Sequence, residues 1–386
     1  MGLSSRKPVH ARYRDGAGGN DDRSKAARAR RRWFRSGLSV AALFASALSV
    51  SAETLRVATW DVELSRKGPG LLLRDISAGK DPQLKAVREI LDHVDPDVLL
   101  LMGIDWDYDG RALAALNATL ARPFPYLYAP QPNAGLPSGV DLDGNGALGE
   151  ARDAQGYGRF LGQGGMAIVS RLPILTTDTH NFSTLLWRDL PETSVNNAQL
   201  SNEALAVQRL SSVGHWDVPV AMPDGQTLHL FAFAATPPVF DGPEDRNGWR
   251  NHDEAAFWLR YLDGDLAQAP PNAPFVLLGD FDIDPQDGEG RRAALRALLS
   301  DPRLQDASPQ SDGGKLAADA DHKGDPSQDT ADFNGPGNLR VDYVLPSARL
   351  QVTGAGVMWP APGAPLAKAA ERASRHKLVW VDILAP

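Results

Sequence analysis

Two aspartates at the end of a strongly apolar segment are the clearest candidates for chemistry in this sequence. Residues 275–284 read F-V-L-L-G-D-F-D-I-D, so a predicted strand delivers Asp280 and Asp282 at its carboxyl end. If extended geometry persists, the two-residue period places both carboxylates on one side, with Cβ atoms about 6–7 Å apart. Carboxylates at that spacing can share a cation or a phosphate-bound water molecule. The alternative is an acidic turn in which Asp bonds its own backbone.

Three further aspartates stand in comparable positions. Asp61 follows the first predicted strand, Asp105 follows a continuous apolar run, and Asp342 lies inside the strand-like sequence R-V-D-Y-V-L. An aspartate flanked by apolar strand residues needs a partner, because burying a lone charge is costly. A cation or a histidine is the usual partner, and His376 precedes the last predicted strand. A lone histidine at a strand start is more often a surface or core residue, so its position alone does not decide the matter.

Strands and helices that could position these side chains alternate along the chain. Period-two or continuous apolar patterns predict strands at 54–60, 97–104, 166–169, 227–234, 275–278, 340–345 and 378–384. Helical spacing predicts helices at 84–93, 111–120, 254–266 and 291–299. The Gly-, Pro- and Asp-rich segment 130–165 is predicted to be an insertion, and 301–337 to be mostly loop. Strands and helices in both halves indicate stacked sheets between helical layers.

Six segments together resemble the endonuclease/exonuclease/phosphatase superfamily, which includes deoxyribonuclease I, abasic-site endonucleases, sphingomyelinases and inositol polyphosphate 5-phosphatases. They are, in family order, L-R-V-A-T-W-D-V, P-D-V-L-L-L-M-G-I-D, G-G-M-A-I-V-S-R-L-P-I, F-V-L-L-G-D-F-D, L-R-V-D-Y-V-L and S-R-H-K-L-V-W-V-D-I. The resemblance spans about residues 55–383. It implies an α/β fold, a deoxyribonuclease I-like four-layer sandwich of two facing mixed β-sheets flanked by helices. It also implies a metal-dependent phosphoesterase site across the upper ends of both sheets.

The resemblance assigns roles to individual residues. His376 matches the family's terminal histidine, Asp342 the aspartate that orients it, and Asp280 the aspartate that positions or deprotonates the attacking water. Asp282 occupies the adjacent catalytic position. The implied reaction is in-line attack by water on phosphorus, with Mg²⁺ or Mn²⁺ polarising the phosphoryl oxygens. Mg²⁺ suits an oxygen-only site with few protein ligands, and Asp61, Asp105 and Asp280 are the predicted ligands.

The sequence departs from the family pattern at several of these positions. Asp61 and Asp282 stand where the family usually has Asn, so a carboxylate replaces an amide that can donate to a phosphate oxygen. The family's metal-binding Glu should fall at Gly103, and Asp105 is predicted to substitute for it. The histidine expected after the 227–234 strand is absent, and Arg375 replaces the aspartate of the family's S-D-H. These changes indicate a weak, rearranged or inactive site.

Arg250 and Asn251, in D-R-N-G-W-R-N-H-D-E, are predicted to contact substrate, since Arg matches phosphate oxygens in a bidentate fork. The alternative, favoured for His252, is helix capping, with Asp253 and Glu254 in the first helical turn stabilised by the helix dipole.

The insertion contains a sequence that resembles the opening of a calcium-binding loop. D-L-D-G-N-G places oxygen ligands at Asp141, Asp143 and Asn145, followed by the glycine of the sharp turn. The twelfth position is not Glu, so Glu150 or Asp153 is predicted to complete the coordination shell. The predicted role of Ca²⁺ is to order the insertion, and a metal-free Asp/Gly-rich turn is the alternative.

Charge is distributed very unevenly. Residues 1–36 carry eleven basic and three acidic side chains, a net of +8, whereas the whole chain is −8 and the remainder therefore −16. The uncharged segment 38–50 and Val50-Ser51-Ala52 complete the pattern of an export signal, and Arg31-Arg32-Trp33-Phe34 resembles its twin-arginine form. We therefore expect residues 1–52 to be removed on export to the periplasm or the medium. A disordered basic arm or an upstream start codon is the alternative.

The composition narrows the class of protein. The absence of cysteine excludes disulfides, thiolate metal sites and a cysteine nucleophile. The 13-residue apolar run at 38–50 is too short to span a bilayer, so no stable membrane insertion is expected. The strong negative charge disfavours long nucleic acids, which are bound mainly by Lys and Arg. The sequence carries no signal for an oligomeric state.

The resulting hypothesis assigns residues 53–386 to an exported divalent-metal-dependent phosphoesterase, a divergent bacterial-type member of the superfamily, that acts on a small phosphomonoester or phosphodiester. Two alternatives stay open. One is a catalytically silent homologue that binds calcium or a phosphorylated ligand; the other is an extracellular nuclease.

Overall fold

A computed structural model describes residues 54–384; the predicted export signal, residues 1–52, lies outside them. The strands are β1 Thr54–Leu64, β2 Val98–Ile104, β3 Tyr126–Tyr128, β4 Gly165–Ser170, β5 His180–Asn181, β6 Gly214–Ala221, β7 Thr227–Ala234, β8 Phe275–Asp280, β9 Ala331–Phe333, β10 Gly337–Leu339, β11 Asp342–Pro346, β12 Val352–Val357 and β13 Val379–Leu384. The α-helices are α1 Leu71–Ala78, α2 Pro82–Val94, α3 Arg111–Asn117, α4 Asn202–Val207, α5 Arg246–Asp263, α6 Ala293–Ser300, α7 Asp312–Leu316 and α8 Ala367–Ala373.

The strands form two large mixed sheets. The first has the order β12-β13-β1-β2-β4-β3, with β1 and β2 parallel and the other neighbours antiparallel. The second has the order β11-β8-β7-β6-β5, with β7 and β8 parallel. A separate hairpin pairs β9 with β10.

The two-residue period of the strands explains why the molecule has four layers. In β2, Val98, Leu100 and Met102 belong to the core between the two sheets, whereas Leu99 and Leu101 pack against helices on the outer face. The outer core of the first sheet includes residues of α1, α2, α3 and α8. That of the second sheet includes residues of α5 and α6. The predicted four-layer α/β sandwich is confirmed.

Local signals account for the elements that the sequence predicted well. In α2, Asp81 Oδ1 accepts hydrogen bonds from the amides of Gln83 (2.8 Å) and Leu84 (3.0 Å), and Pro82 occupies the first turn. Within residues 54–384, no helix combines the length and apolar character that crossing a bilayer requires.

The prediction for α5 was wrong at its start. The helix begins at Arg246, eight residues before the predicted start, because its first turns are polar and hide the helical period. Asp253 and Glu254 therefore lie inside the helix, and they do not cap its first turn. The strands β3, β5, β6 and β12 and the helices α1, α4, α7 and α8 were not predicted. The predicted loop 301–337 contains α7 and most of the β9–β10 hairpin.

Candidate active site

The ends of three strands bring acidic side chains together between the two sheets. Asp280 and Asp342 are register partners on β8 and β11. In β8, Val276 and Leu278 face the other sheet, and Asp280 continues that alternation. Asp61 reaches the same region from β1, where Val57 faces the core between the sheets. The two-residue period therefore delivers all three carboxylates to one end of the inner layer.

A histidine–aspartate pair lies next to these carboxylates. His376 Nδ1 is 3.0 Å from Asp342 Oδ2, which also accepts a hydrogen bond from Thr330 Oγ1 at 2.9 Å. The main chain of His376 is held by Trp60, whose Nε1 donates to the His376 carbonyl oxygen at 3.0 Å. Both side chains of the pair are buried. The ring of His376 is thus fixed by contacts on its side chain and its backbone.

The charges around His376 favour its protonated form. Burial lowers the pKa of His376, but the carboxylates of Asp342 and Asp280 outweigh burial and raise it well above its usual value. Asp280 Oδ2 lies 4.0 Å from His376 Nδ1. An imidazolium with Nδ1 bonded to Asp342 keeps Nε2–H as a donor for an anionic ligand.

Asp61, Asp280 and His376 form a cluster with metal-ligand spacing. One ligand atom from each lies within 4.8 Å of the other two. Burial raises the pKa of Asp61, and burial together with Asp282 and Asp342 raises that of Asp280 well above its usual value. Asp342 Oδ1 is buried and has no hydrogen-bond partner among the described residues. This set of crowded, desolvated carboxylates fits a divalent cation, which would stabilise their ionised forms.

Asp282 does not extend the strand as the spacing predicted. β8 ends at Asp280, and Asp282 has a left-handed backbone with φ 51°. Its amide donates to Asp280 Oδ1 at 2.7 Å, so the two residues form a tight acidic turn. The prediction that the two-residue period aligns their side chains is therefore wrong. Burial nevertheless raises the pKa of Asp282 to about 7, and His376 and Asp61 are among the charges that act on it.

Gly103, where the resemblance expects a glutamate, has no room for a side chain. Its φ is 65°, and a Cβ built there would lie 2.1 Å from Asp61 Oδ1. Asp61 on β1 is paired with Met102 on β2, which explains the close approach. The carboxylate of Asp61 thus occupies the space that a side chain at position 103 would need.

The structure does not bring Asp105 into the cluster, which corrects its predicted role as substitute ligand. Its Oδ1 accepts hydrogen bonds from Ser65 Oγ (3.1 Å) and the Gly164 amide (3.2 Å), and its Oδ2 from the Arg66 amide (2.8 Å). These bonds use both oxygens to join the segment after β1 to the end of the insertion. Asp105 has a structural role here.

Arg250 and Asn251 are also engaged elsewhere, which corrects their predicted substrate contacts. Arg250 is buried, and its guanidinium donates to the carbonyl oxygens of Leu210 at 2.8 Å, Gln155 at 2.6 Å, and Arg209 and Ser211 at 3.0 Å. Asn251 Nδ2 donates to the carbonyl oxygens of Thr236 and Phe281, both at 2.8 Å. Both side chains tie α5 to neighbouring loops.

Sequence reasoning missed two residues that support the site, Glu63 and Thr330. Glu63 accepts hydrogen bonds from Ser374 Oγ (3.0 Å) and from the Arg375 amide (2.7 Å) and Nε (2.7 Å). It thereby holds the segment before His376 against the end of β1. An acidic residue two positions after Asp61 was a usable signal for Glu63. Thr330 gave no signal, because it lies in a polar segment whose hairpin was not predicted.

The predicted calcium loop brings three carboxylates together. One oxygen from each of Asp141, Asp143 and Asp153 lies within 4.8 Å of the other two. Asp141 accepts backbone hydrogen bonds from Gly144 and Gly146, both at 2.7 Å, and these bonds lower its pKa. Asn145 Nδ2 donates to Glu150 Oε2 at 2.7 Å. Asp153, and not Glu150, is therefore the residue that the fold places beside the first two aspartates.

A cleft of about 940 Å³ opens from the cluster toward the insertion. Its lining includes Asp61 and Gly103, residues 134–164 in part, the segment after β7 and the first turn of α5. A ligand bound at the cluster can therefore extend into a large, partly apolar space.

Comparison with known proteins agrees with this fold. The sequence model of the Endonuclease/Exonuclease/phosphatase family matches residues 58–376, whereas no curated protein matches the chain. A solved endonuclease/exonuclease/phosphatase from Beutenbergia cavernae is 16% identical, with a TM-score of 0.52, over 86% of this chain and 71% of that one. A family protein from Leptotrichia buccalis is 16% identical (TM-score 0.49, coverage 86% and 100%). Sphingomyelinase C from Streptomyces griseocarneus is 16% identical (TM-score 0.46, coverage 86% and 99%).

Proposed function

The chain belongs to the endonuclease/exonuclease/phosphatase family, and we propose that it hydrolyses a phosphate ester by attack of water on phosphorus, with a divalent cation. The observation that carries the proposal is the His376–Asp342 pair, 3.0 Å between Nδ1 and Oδ2, beside the carboxylates of Asp280 and Asp61. Few structural roles explain a buried histidine surrounded by carboxylates, one of which, Asp61, lines a large cleft.

Each residue has a role that follows from its contacts. His376 donates its Nε2–H to a phosphoryl oxygen and stabilises the charge that grows there in the transition state. Asp342, fixed by Thr330, holds the imidazolium ring in position. Asp280 Oδ1 is bonded to the Asp282 amide, so Oδ2 is the oxygen that orients water and accepts its proton. The P–O ester bond breaks on the side opposite the attacking water, and the leaving oxygen takes its proton from solvent.

Asp61 and Asp280 would hold the cation, Mg²⁺ or Mn²⁺, which suit oxygen ligands. When bound, the cation would neutralise charge on the phosphoryl oxygens. The family relationship supports this requirement, as does the raised pKa of both carboxylates.

The decisive experiment is hydrolysis of p-nitrophenyl phosphate and bis(p-nitrophenyl) phosphate by the purified protein with EDTA, Mg²⁺, Mn²⁺ or Ca²⁺. We expect cation-dependent turnover that falls about 10³-fold in His376→Ala. His229→Ala is the matched control, since His229 pairs with Asp217 (2.6 Å) near the opposite end of β7. Equal trace rates in wild type and His376→Ala would support the silent homologue.

We further propose that the natural substrate is small. The net charge of −16 outside residues 1–36 opposes binding of a polyanion. Plasmid and single-stranded DNA test the nuclease alternative. Salt-sensitive binding and cutting of DNA would support a nuclease. The absence of both at low salt would support a small phosphate ester as the substrate.

Export is proposed from residues 1–52 alone. Fusion of this segment to a reporter should direct it out of the cytoplasm, and replacement of Arg31 and Arg32 by Lys should block a twin-arginine route. A reporter that stays in the cytoplasm would support the basic-arm alternative.

We also propose that Asp141, Asp143 and Asp153 hold a Ca²⁺ ion that orders the insertion. The convergence of three carboxylates in a D-L-D-G-N-G sequence supports it. Ca²⁺ should raise the unfolding temperature of wild type and of Asp224→Asn, a control in another exposed turn, but not of Asp143→Asn. An equal shift in Asp143→Asn would place the ion elsewhere.

A further inference from the structure

Two aromatic side chains stand exposed on the wall of the cleft that leads from Asp61. Tyr157, in the insertion, is 64% exposed, and Phe240, in the segment between β7 and α5, is 79% exposed. Large aromatic residues are normally covered in a folded protein, and those left exposed in a concave surface mark binding sites. Both line the same 940 Å³ cleft as the cluster carboxylate Asp61.

The backbone under Tyr157 is closely packed. A Cβ built on Gly156 would lie 1.7 Å from the Ser212 carbonyl oxygen, and one on Gly158 would lie 2.7 Å from the Gly135 amide nitrogen. The two glycines therefore press the chain against its neighbours on both sides of Tyr157. Tyr157 is therefore exposed although its backbone is held firmly in place.

The backbone of Phe240 is held in an unfavourable conformation. Its φ is 70°, in the left-handed region that a bulky residue rarely adopts. Asn247 at the start of α5 fixes both neighbours: its Nδ2 donates to the Val239 carbonyl oxygen at 2.7 Å, and its amide donates to Asp241 Oδ2. Strain that the surroundings enforce at an exposed aromatic residue is typical of a ligand contact.

The charges of the cleft do not suit a polyanion. Its lining carries Asp143, Asp241 and Glu244 in addition to Asp61. Three arginines also line it: Arg246 and Arg250 donate to main-chain carbonyl oxygens, and Arg152 lies 3.9 Å from Asp143. Beyond the cluster and Arg152, the exposed aromatic rings are therefore the main groups that the cleft offers to a ligand.

We propose that the cleft is a subsite for an aromatic ring carried by the phosphate ester, which packs against Tyr157 and Phe240 while the phosphate lies at the cluster. This inference rests on the proposed function and deepens it, because it names the substrate class. An aryl ester and a nucleotide share this chemistry, since every nucleobase has a π-face.

Ligand binding without turnover tests the inference in full-length protein that carries His376→Ala. Isothermal titration in Mg²⁺ would compare methylphosphonate, phenylphosphonate and adenosine 5′-monophosphate. We expect at least one of the two ring-bearing ligands to bind about tenfold more tightly than methylphosphonate. Tighter binding of phenylphosphonate than of methylphosphonate indicates that the substrate is an aryl ester. Tighter binding of adenosine 5′-monophosphate alone indicates a nucleotide.

Substitutions then test which side chains are responsible for the tighter binding of ring-bearing ligands, called the gain below. Tyr157→Ala and Phe240→Ala should each remove most of it, and Phe240→Trp should retain it. Tyr108→Ala is the matched control, because Tyr108 is 90% exposed and lies outside the cleft lining. Phe240→Gly should weaken ring binding yet raise the unfolding temperature, since glycine relieves the left-handed strain.

The outcomes separate this inference from the proposed function. Equal affinity for all three ligands in the parent would overturn the aromatic subsite even if wild type hydrolyses esters. A ring preference that Phe240→Ala and Tyr157→Ala leave unchanged would also overturn it. A preference lost in both variants supports the subsite even if wild type proves inactive.

Discussion

The carboxylate of Asp61 and the missing side chain of Gly103 are complementary, since a Cβ at position 103 would lie 2.1 Å from Asp61 Oδ1. The two departures from the pattern that the sequence resemblance implies therefore meet at one point in the structure. The acidic side chain on β1 occupies the space beside a glycine on β2.

Gly103→Ala should therefore push Asp61 out of the cluster. We expect a loss of about 1–3 kcal/mol in the free energy of unfolding from overpacking, together with weaker Mn²⁺ binding measured by titration calorimetry. Gly110→Ala is the matched control: Gly110 also has φ 65°, but nothing lies within 4 Å of its Cβ position. That variant should lose only about 1 kcal/mol from strain and bind Mn²⁺ normally. Equal Mn²⁺ affinity in both variants would show that Asp61 is not a ligand.

Replacing Asp342 should disable His376 without removing it. Asp342→Asn eliminates the charge that keeps the imidazole protonated and weakens the bond that orients it, so we expect kcat to fall about 10²-fold. Thr330→Val removes the hydrogen bond to Asp342 Oδ2 and the acceptor of the Val341 and Asp342 amides, but it keeps the charge of Asp342, so it should cost less than tenfold. The measurement is kcat on the preferred ester in Mg²⁺. A larger effect from Thr330→Val than from Asp342→Asn would contradict this order.

Asp282→Asn should improve the enzyme. Asn tolerates the left-handed backbone of this position, and its amide can donate to a phosphate oxygen that a carboxylate repels. Because Asp282 lies outside the cluster of ligand atoms, Mn²⁺ affinity should not change. We expect kcat/KM to rise several-fold, measured beside Asp284→Asn as a neighbouring control. Weaker Mn²⁺ binding would instead place Asp282 among the ligands.

Buried His215 should make stability fall with acid. Burial lowers the pKa of His215 to about 3 from the ordinary value of 6.5. Below pH 6.5 the histidine is therefore protonated in the unfolded chain but stays neutral in the folded protein. Stability due to neutral His215 is present above pH 6.5 and is lost progressively toward pH 3. Between pH 7 and 5 the loss is about 2 kcal/mol.

Urea unfolding at pH 7 and pH 5 gives the change in the free energy of unfolding with pH. The contribution of His215 is the difference between that change in wild type and in His215→Gln. The change with pH should be about 2 kcal/mol smaller in the variant, while His93→Gln, at an exposed position of α2, should behave as wild type. Identical pH dependence in wild type and His215→Gln would show that folding does not lower the pKa of His215.

Much of the scaffold was predictable because its determinants are local. The apolar runs ending at Ile104 and Asp280 fix strands, and their two-residue period fixes which side chains face the inner layer. The same period turns the side chains of Asp61, Asp280 and Asp342 toward the inner layer. The sequence by itself therefore determined the layers, the family and the residues that could meet.

The partners of the polar side chains were decided by tertiary structure. Arg250 was assigned to substrate from its type and neighbours, but packing surrounds it with carbonyl oxygens of residues 155 and 209–211. Asp105 was expected to bind the metal, but the amide of Gly164, at the end of the insertion, donates a hydrogen bond to its carboxylate. Asp61 meets Gly103 only because β1 and β2 pair in parallel. A hydrogen bond depends on distances of a few ångströms between segments far apart in the chain, and no local period encodes them.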